Sequence, residues 1–204
     1  GAFYETYTPE RWHDQAFRDP WVYADPDGSG WRMLFTARER EGLAMGAGVI
    51  GQATSSDLLH WKIDKPFFRA GYYGELEVPQ IFQLGDWWYC LFSNASKHMC
   101  PTYIATGLAG IVTGTHYIRS RSPHGPFELV EHVFFAGNDK GHLYGGRVVQ
   151  MADGRMVFMA FLNRNDDGDF IGMLADPMPL WVTTAGYLRI DARKYGMLLR
   201  DPHS

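Results

Sequence analysis

At 204 residues, 46% hydrophobic and 15% aromatic, the chain has the composition of one substantial folded domain rather than a disordered tail. Its formal net charge of -4 is mild and its acids and bases are interspersed, so no field draws it to nucleic acid or an anionic membrane surface. A small neutral ligand is the more natural partner. The longest weakly polar run, Gly42 to Gly51, is about half of what a membrane span requires. Cys90 and Cys100 match neither a zinc site nor a redox pair and read as unpaired packing residues, which leans localisation toward the cytoplasm. The chain opens on Gly1 rather than methionine, as a processed or trimmed start would.

From Pro20 the pattern runs strand, turn, strand: Trp21-Val22-Tyr23, a turn at Asp25-Pro26-Asp27-Gly28-Ser29-Gly30, then Trp31 to Thr36. A third strand fits Gly48 to Thr54, and Ser55 to Trp61 reads as a short turn returning the tryptophan to the sheet. The same grammar restarts at Val78 to Leu84, with a Gly85-Asp86 turn, the strand Trp87 to Ser93, then His116 to Ser120 and a Ser122-to-Phe127 turn. A third restart spans Gly141 to Gln150, the turn Ala152-Asp153-Gly154-Arg155, the strand Met156 to Leu162, and Ile171 to Leu174. Trp181 and Tyr187 to Ile190 suggest a last pair of strands.

Three units of roughly sixty residues, four strands each and without helical periodicity, predict an all-β chain built as a β-propeller. A β-sandwich also uses many short strands, but here the turns recur at matching places in each unit. In a propeller the innermost strands line a central channel, so residues at their openings converge. Two of those openings carry an acid just before a proline: Arg18-Asp19-Pro20 and, after Glu75-Leu76, Glu77-Val78-Pro79.

Arg18-Asp19-Pro20, then Ser55-Ser56-Asp57-Leu58-Leu59-His60-Trp61, then Glu77-Val78-Pro79 and the Trp87-Trp88-Tyr89 strand resemble glycoside hydrolase family 32, the invertases, levanases and other β-fructosidases. That resemblance implies a five-bladed propeller, of which this chain is expected to hold about three to four blades in a single domain over residues 1–204, without the family's usual C-terminal β-sandwich. It implies a retaining glycosidase acting on β-fructosidic or related bonds of a small carbohydrate or oligosaccharide, with no cofactor. Asp19 would be the transition-state stabiliser, with Arg18 beside it, and Glu77 the general acid. Glycosidic cleavage passes through an oxocarbenium-like state that needs a proton donor on the leaving oxygen and negative charge near the ring, which fits such a division. Glu75, two positions from Glu77 on an extended chain, shares its face and stays a rival; the proline after Glu77 favours Glu77.

Two departures stand out. The family's Glu-Cys-Pro cysteine is Val78 here, a small apolar replacement expected to cost little. The family's nucleophile, an aspartate in an Asn-Asp-Pro-Asn-Gly motif well before Arg-Asp-Pro, has no counterpart; Asp25-Pro26-Asp27-Gly28 reads as a hairpin turn. The chain is therefore expected to lack the nucleophile and first blade, with self-association or a missing N-terminal segment completing the propeller. A carbohydrate-binding propeller without the nucleophile, and a furanosidase of the related arabinan- and xylan-acting families, are the other readings.

His142 and Tyr144 open the third unit where the family places pocket residues, and are candidates for substrate binding. The tryptophans read mostly as blade packing, with one or two available to stack on a sugar. His98-Met99-Cys100 is too short a cluster for zinc, and no metal is expected. Asn94-Ala95-Ser96 is a weak glycosylation match.

Overall fold

The computed structural model describes residues 3–106, 112–130 and 135–195. Strands β1 (Arg18–Ala24), β2 (Trp31–Arg38), β3 (Gly48–Ser55) and β4 (Lys62–Arg69) form one antiparallel sheet in chain order. A second sheet holds β5 (Glu77–Leu84), β6 (Trp87–Asn94), β7 (Thr113–Ser120) and β8 (Glu128–Leu129), with β9 (Ala136–Asn138) also pairing β7. The third holds β10 (Leu143–Gln150), β11 (Met156–Arg164), β13 (Met178–Val182) and β14 (Leu188–Ile190), and β12 (Phe170–Leu174) joins β11. These are three blades of a β-propeller, with β1, β5 and β10 innermost. Among the described residues between β6 and β7 lie a 3-10 turn, Ser96–His98, and a helical turn, α1 (Pro101–Ile104).

The turns form where the sequence demands them. Asp25 closes the β1–β2 hairpin: its N–H donates to the Gly30 carbonyl at 2.8 Å, and its carboxylate accepts from Arg32 Nε at 2.6 Å and Ser29 Oγ at 2.9 Å. Burial pushes that carboxyl up, but the Asp27 N–H, Arg32 and Ser29 outweigh it and hold it below its ordinary value. The turn after β3 is built likewise. Ser55 Oγ accepts the Leu58 N–H at 2.9 Å, Asp57 Oδ1 accepts the Leu59 and His60 N–H groups at 2.9 and 2.8 Å, and Trp61 packs back beside Phe35. Asp57 and Ser55 therefore serve the backbone, and the chain leaves the turn as β4.

The blades stack face to face, and β6 shows how. Its side chains alternate with period two. Cys90 and Phe92 pack with Leu34 and Ile50 of the first blade, while Tyr89 and Leu91 pack with Val148, Phe158 and Leu188 of the third. A strand buried on both faces reads as a continuous apolar run, which is why Trp87 to Phe92 shows no polar alternation. Both cysteines are free and buried, as their spacing suggested, and burial pushes the Cys90 thiol up. Asn94 is fully buried, with its amide on the Ala95 carbonyl at 2.9 Å, so it presents no acceptor at the surface.

The second and third blades are also tied through Gln80, whose amide both donates to the Val148 carbonyl and accepts the Val148 N–H, each at 2.7 Å. Among the described residues no helix is long and apolar enough to cross a membrane.

Candidate active site

Each innermost strand opens with the same irregularity. In β1 the pairing passes from Arg18–Thr36 to Trp21–Leu34, in β5 from Glu77–Ser93 to Gln80–Leu91, and in β10 from Tyr144–Phe161 to Arg147–Met159. One extra residue on the inner strand makes a β-bulge at the same place in all three blades. The residue after the last pair before the bulge is left-handed each time: Asp19 at φ 58°, Val78 at φ 47° and Gly145 at φ 63°. Arg18, Glu77 and Tyr144 are thus equivalent positions, as are Asp19, Val78 and Gly145. The two acid-before-proline motifs are offset by one: Asp19 matches Val78, and Glu77 matches Arg18.

Only glycine suits this conformation freely. At Gly145 a Cβ would also lie 2.6 Å from the Phe161 ring. Val78 is the costly case, because a β-branched side chain at positive φ is a true outlier, worth about 1–3 kcal/mol of strain. The expectation that valine replaces the family's cysteine at little cost is overturned by this backbone. Arg147 clamps the strained segment, its Nη1 donating to the Val78 carbonyl and, at 2.9 Å, to that of Pro79.

The bulges turn the opening residues toward one another. Arg18 Nη2 donates to Glu77 Oε1 at 2.9 Å and to Glu75 Oε1 at 2.8 Å, and the Tyr144 hydroxyl donates to Glu77 Oε2. Asp19 Oδ2 accepts from Thr36 Oγ1 at 2.8 Å and from the Val78 N–H at 3.2 Å, so the carboxylate of the first blade caps the bulge of the second. Arg18 Nε lies 3.8 Å from the same oxygen. Burial and the adjacent Glu77 and Glu75 charges push the Tyr144 hydroxyl far above its ordinary value, so it remains a phenol and a donor. For Arg18, desolvation lowers the pKa, but Glu77 and Glu75 outweigh it and hold the guanidinium fully charged.

Glu75 reaches the same arginine from a different environment. Its side chain is 1% exposed, against 19% for Glu77. Trp12 Nε1 donates to its Oε1 at 3.1 Å, and His98 Nδ1 lies 3.1 Å from Oε2. Burial pushes the carboxyl up, but His98, Arg18 and Trp12 together bring it down to about 2. Arg38, 1% exposed, stacks 3.7 Å from the Trp12 ring centroid, bonds Glu5 and donates to the Gly74 carbonyl, fixing the segment that carries Glu75.

Of the sequence candidates, Arg18, Asp19, Glu75, Glu77 and Tyr144 converge. His142 does not join them: its Nδ1 pairs with Asn138 Nδ2 at 2.9 Å and its Nε2 faces Asp166 at 3.5 Å, on the rim of a separate concavity of about 600 Å³. Trp12, Thr36, His98 and Arg147 also build the site and were not singled out, since each lies far in sequence from the motifs it supports.

Solved structures show the same fold. The inulosucrase from Halalkalicoccus jeotgali bound to kestose aligns with a TM-score of 0.70 at 20% identity, over 85% of this chain and 49% of its own. Bacillus subtilis levansucrase aligns at 0.69 and 15%, over 88% and 50%, and the Microbacterium saccharophilum K-1 β-fructofuranosidase catalytic domain at 0.67 and 17%, over 93% and 48%. The chain thus spans about half the length of these structures. Among curated proteins none matches it. The family described as the glycosyl hydrolases family 32 N-terminal domain matches residues 5–189, and the chain belongs to it.

Proposed function

We propose that the chain carries two of the catalytic acids of a retaining β-fructosidase, with Glu77 as the proton donor to the leaving glycosidic oxygen and Asp19 as the stabiliser of the sugar in the transition state. The observation that carries this is the partly exposed Glu77 carboxyl, bracketed by Arg18 and Tyr144 at the opening of β5 beside Asp19. Geometry separates the roles. Glu75 is sealed in and ionised, and neutralises much of Arg18, whereas Glu77 faces the open side where a glycosidic oxygen can reach it. Tyr144 and Arg18 fix the Glu77 carboxyl plane, so that its proton is presented in one direction.

Asp19 has one oxygen committed to Thr36 and the Val78 N–H. That leaves its other oxygen to accept sugar hydroxyls and sets a fixed negative charge near the ring, where the oxocarbenium-like state develops positive charge. The retaining mechanism further needs an attacking carboxylate across the ring from Glu77, which this reading assigns to a segment facing the bulges rather than to Asp19 or Glu75.

Fructose release from sucrose and levan, measured on the natural full-length protein, tests the assignment. Asp19→Asn and Glu77→Gln should each abolish release while circular dichroism stays native. Unchanged turnover in either variant overturns the residue roles. Binding of levan without release, in the wild type, would favour the carbohydrate-binding reading instead.

A further inference from the structure

Behind Glu77, on the side of Glu75 away from Arg18, two histidines and a carboxylate meet. Glu75 precedes β5, His98 ends the 3-10 turn after β6, and His13 follows Trp12 in the segment leading to β1. Their ligand atoms all lie within 4.8 Å of one another. The rings of His13 and His98 are 4.9 Å apart between centroids. His98 Nδ1 is buried and faces Glu75 Oε2 at 3.1 Å, a spacing that one ion between them could bridge.

We propose that His13, Glu75 and His98 bind a divalent transition metal, Zn²⁺, Co²⁺ or Ni²⁺, through two imidazoles and the Glu75 Oε2 carboxylate oxygen. Two nitrogens and one oxygen suit these ions, whereas Ca²⁺ and Mg²⁺ take oxygen ligands almost throughout. The two oxygens of Glu75 divide the work: Oε1 is held by Trp12 Nε1 and Arg18, which orient the carboxylate, and Oε2 is left toward the histidines.

The cradle is rigid. Trp12 packs edge-on to His98 at 5.1 Å, the Gly74 N–H bonds the His98 carbonyl at 2.6 Å, and a Cβ on Gly74 would strike the Trp12 ring at 2.3 Å. His13, with its side chain 51% exposed, gives the ion its path from solvent and leaves room for water ligands. The Arg18 charge on the far oxygen of Glu75 sets the affinity below that of a closed structural zinc site.

Titration of the tag-free chain with Zn²⁺ by calorimetry, and with Co²⁺ by visible absorption, tests this. One equivalent should bind. His98→Ala and His13→Ala should each weaken binding by more than about 100-fold, beyond the loss typical of an outer-shell partner. His124→Ala, in the separate Asp25–Asp27 cluster, should leave it unchanged. His13 is exposed and outside the strands, so its variant reports on the site even if the buried His98→Ala is less stable. No saturable binding by the wild type, or binding that survives both His13→Ala and His98→Ala, overturns the assignment.

Discussion

Glu75 and Glu77 stand two residues apart and share one nitrogen of Arg18, yet they are different chemical objects. Glu75 is sealed under Trp12 and His98 and held ionised to about pH 2; Glu77 faces outward with Tyr144 on its second oxygen. Sequence pattern puts both on one face of an extended chain. What separates them is where the strand begins: Glu77 opens β5 at the bulge, and Glu75 lies just before it in the packed segment pinned by Arg38. Glu75 is enclosed by its donors, whereas Glu77, though held by Arg18 and Tyr144, keeps part of its surface open to solvent.

The sharpest way to break that contrast is to neutralise each acid in turn. Glu77→Gln should lower kcat for fructose release by about 10²–10⁴-fold with little change in the thermal midpoint, since a positioned general acid contributes that much. A Glu77→Gln protein that is instead unfolded, with activity abolished in a folded Glu75→Gln, would reverse the two roles.

Arg18→Met comes next. It strips Glu75 of its nearest cation while the carboxylate stays buried, and should cost about 3–5 kcal/mol in urea unfolding. A loss below about 1 kcal/mol, typical of an exposed pair, would mean that Glu75 is less enclosed than its 1% exposure indicates.

The third test uses acid. The Glu75 carboxyl titrates at about 2 when folded, against an ordinary value of 4.5. Its contribution is therefore complete above pH 4.5 and is lost as the pH falls toward 2, on the order of 3 kcal/mol at about 1.4 kcal/mol per unit. Urea midpoints of the wild type should fall more steeply across that window than those of Glu75→Gln; parallel curves would sink the assignment of Glu75 as the low-titrating acid.

The smallest effect is at Val78. Val78→Gly relieves a left-handed β-branched residue and should raise stability by about 1 kcal/mol or less, net of the entropy that glycine loses on folding.

Much of the fold was legible in the chain. Asp25 to Gly30 and Ser55 to Trp61 carry turn chemistry that acts within a few residues, and the aromatic run Trp87 to Phe92 announces a strand buried on both faces. The ordered motifs brought Arg18, Asp19, Glu77 and Tyr144 forward, and the structure gathers them. His142 stands two residues before Tyr144 but just outside β10, where strand alternation no longer sets its direction, and its ring pairs with Asn138. The one-residue offset between Asp19 and Glu77 escaped because a bulge leaves no mark in composition; only its left-handed residue hints at it, and valine at Val78 conceals that hint. The His13–Glu75–His98 group was invisible for another reason: its members come from three separate segments, and no local spacing joins them.

The repeated bulge separates two tasks that most sites entangle. Val78 and Gly145 set only the backbone twist, and residues 18, 77 and 144 send their side chains into the cluster; Asp19 alone does both. Each blade therefore offers an interchangeable socket, filled here by a cation, an acid and a phenol. Chemistry can be exchanged at one socket without recasting the scaffold, so duplication of a single blade followed by drift at one position per copy is enough to diversify a face.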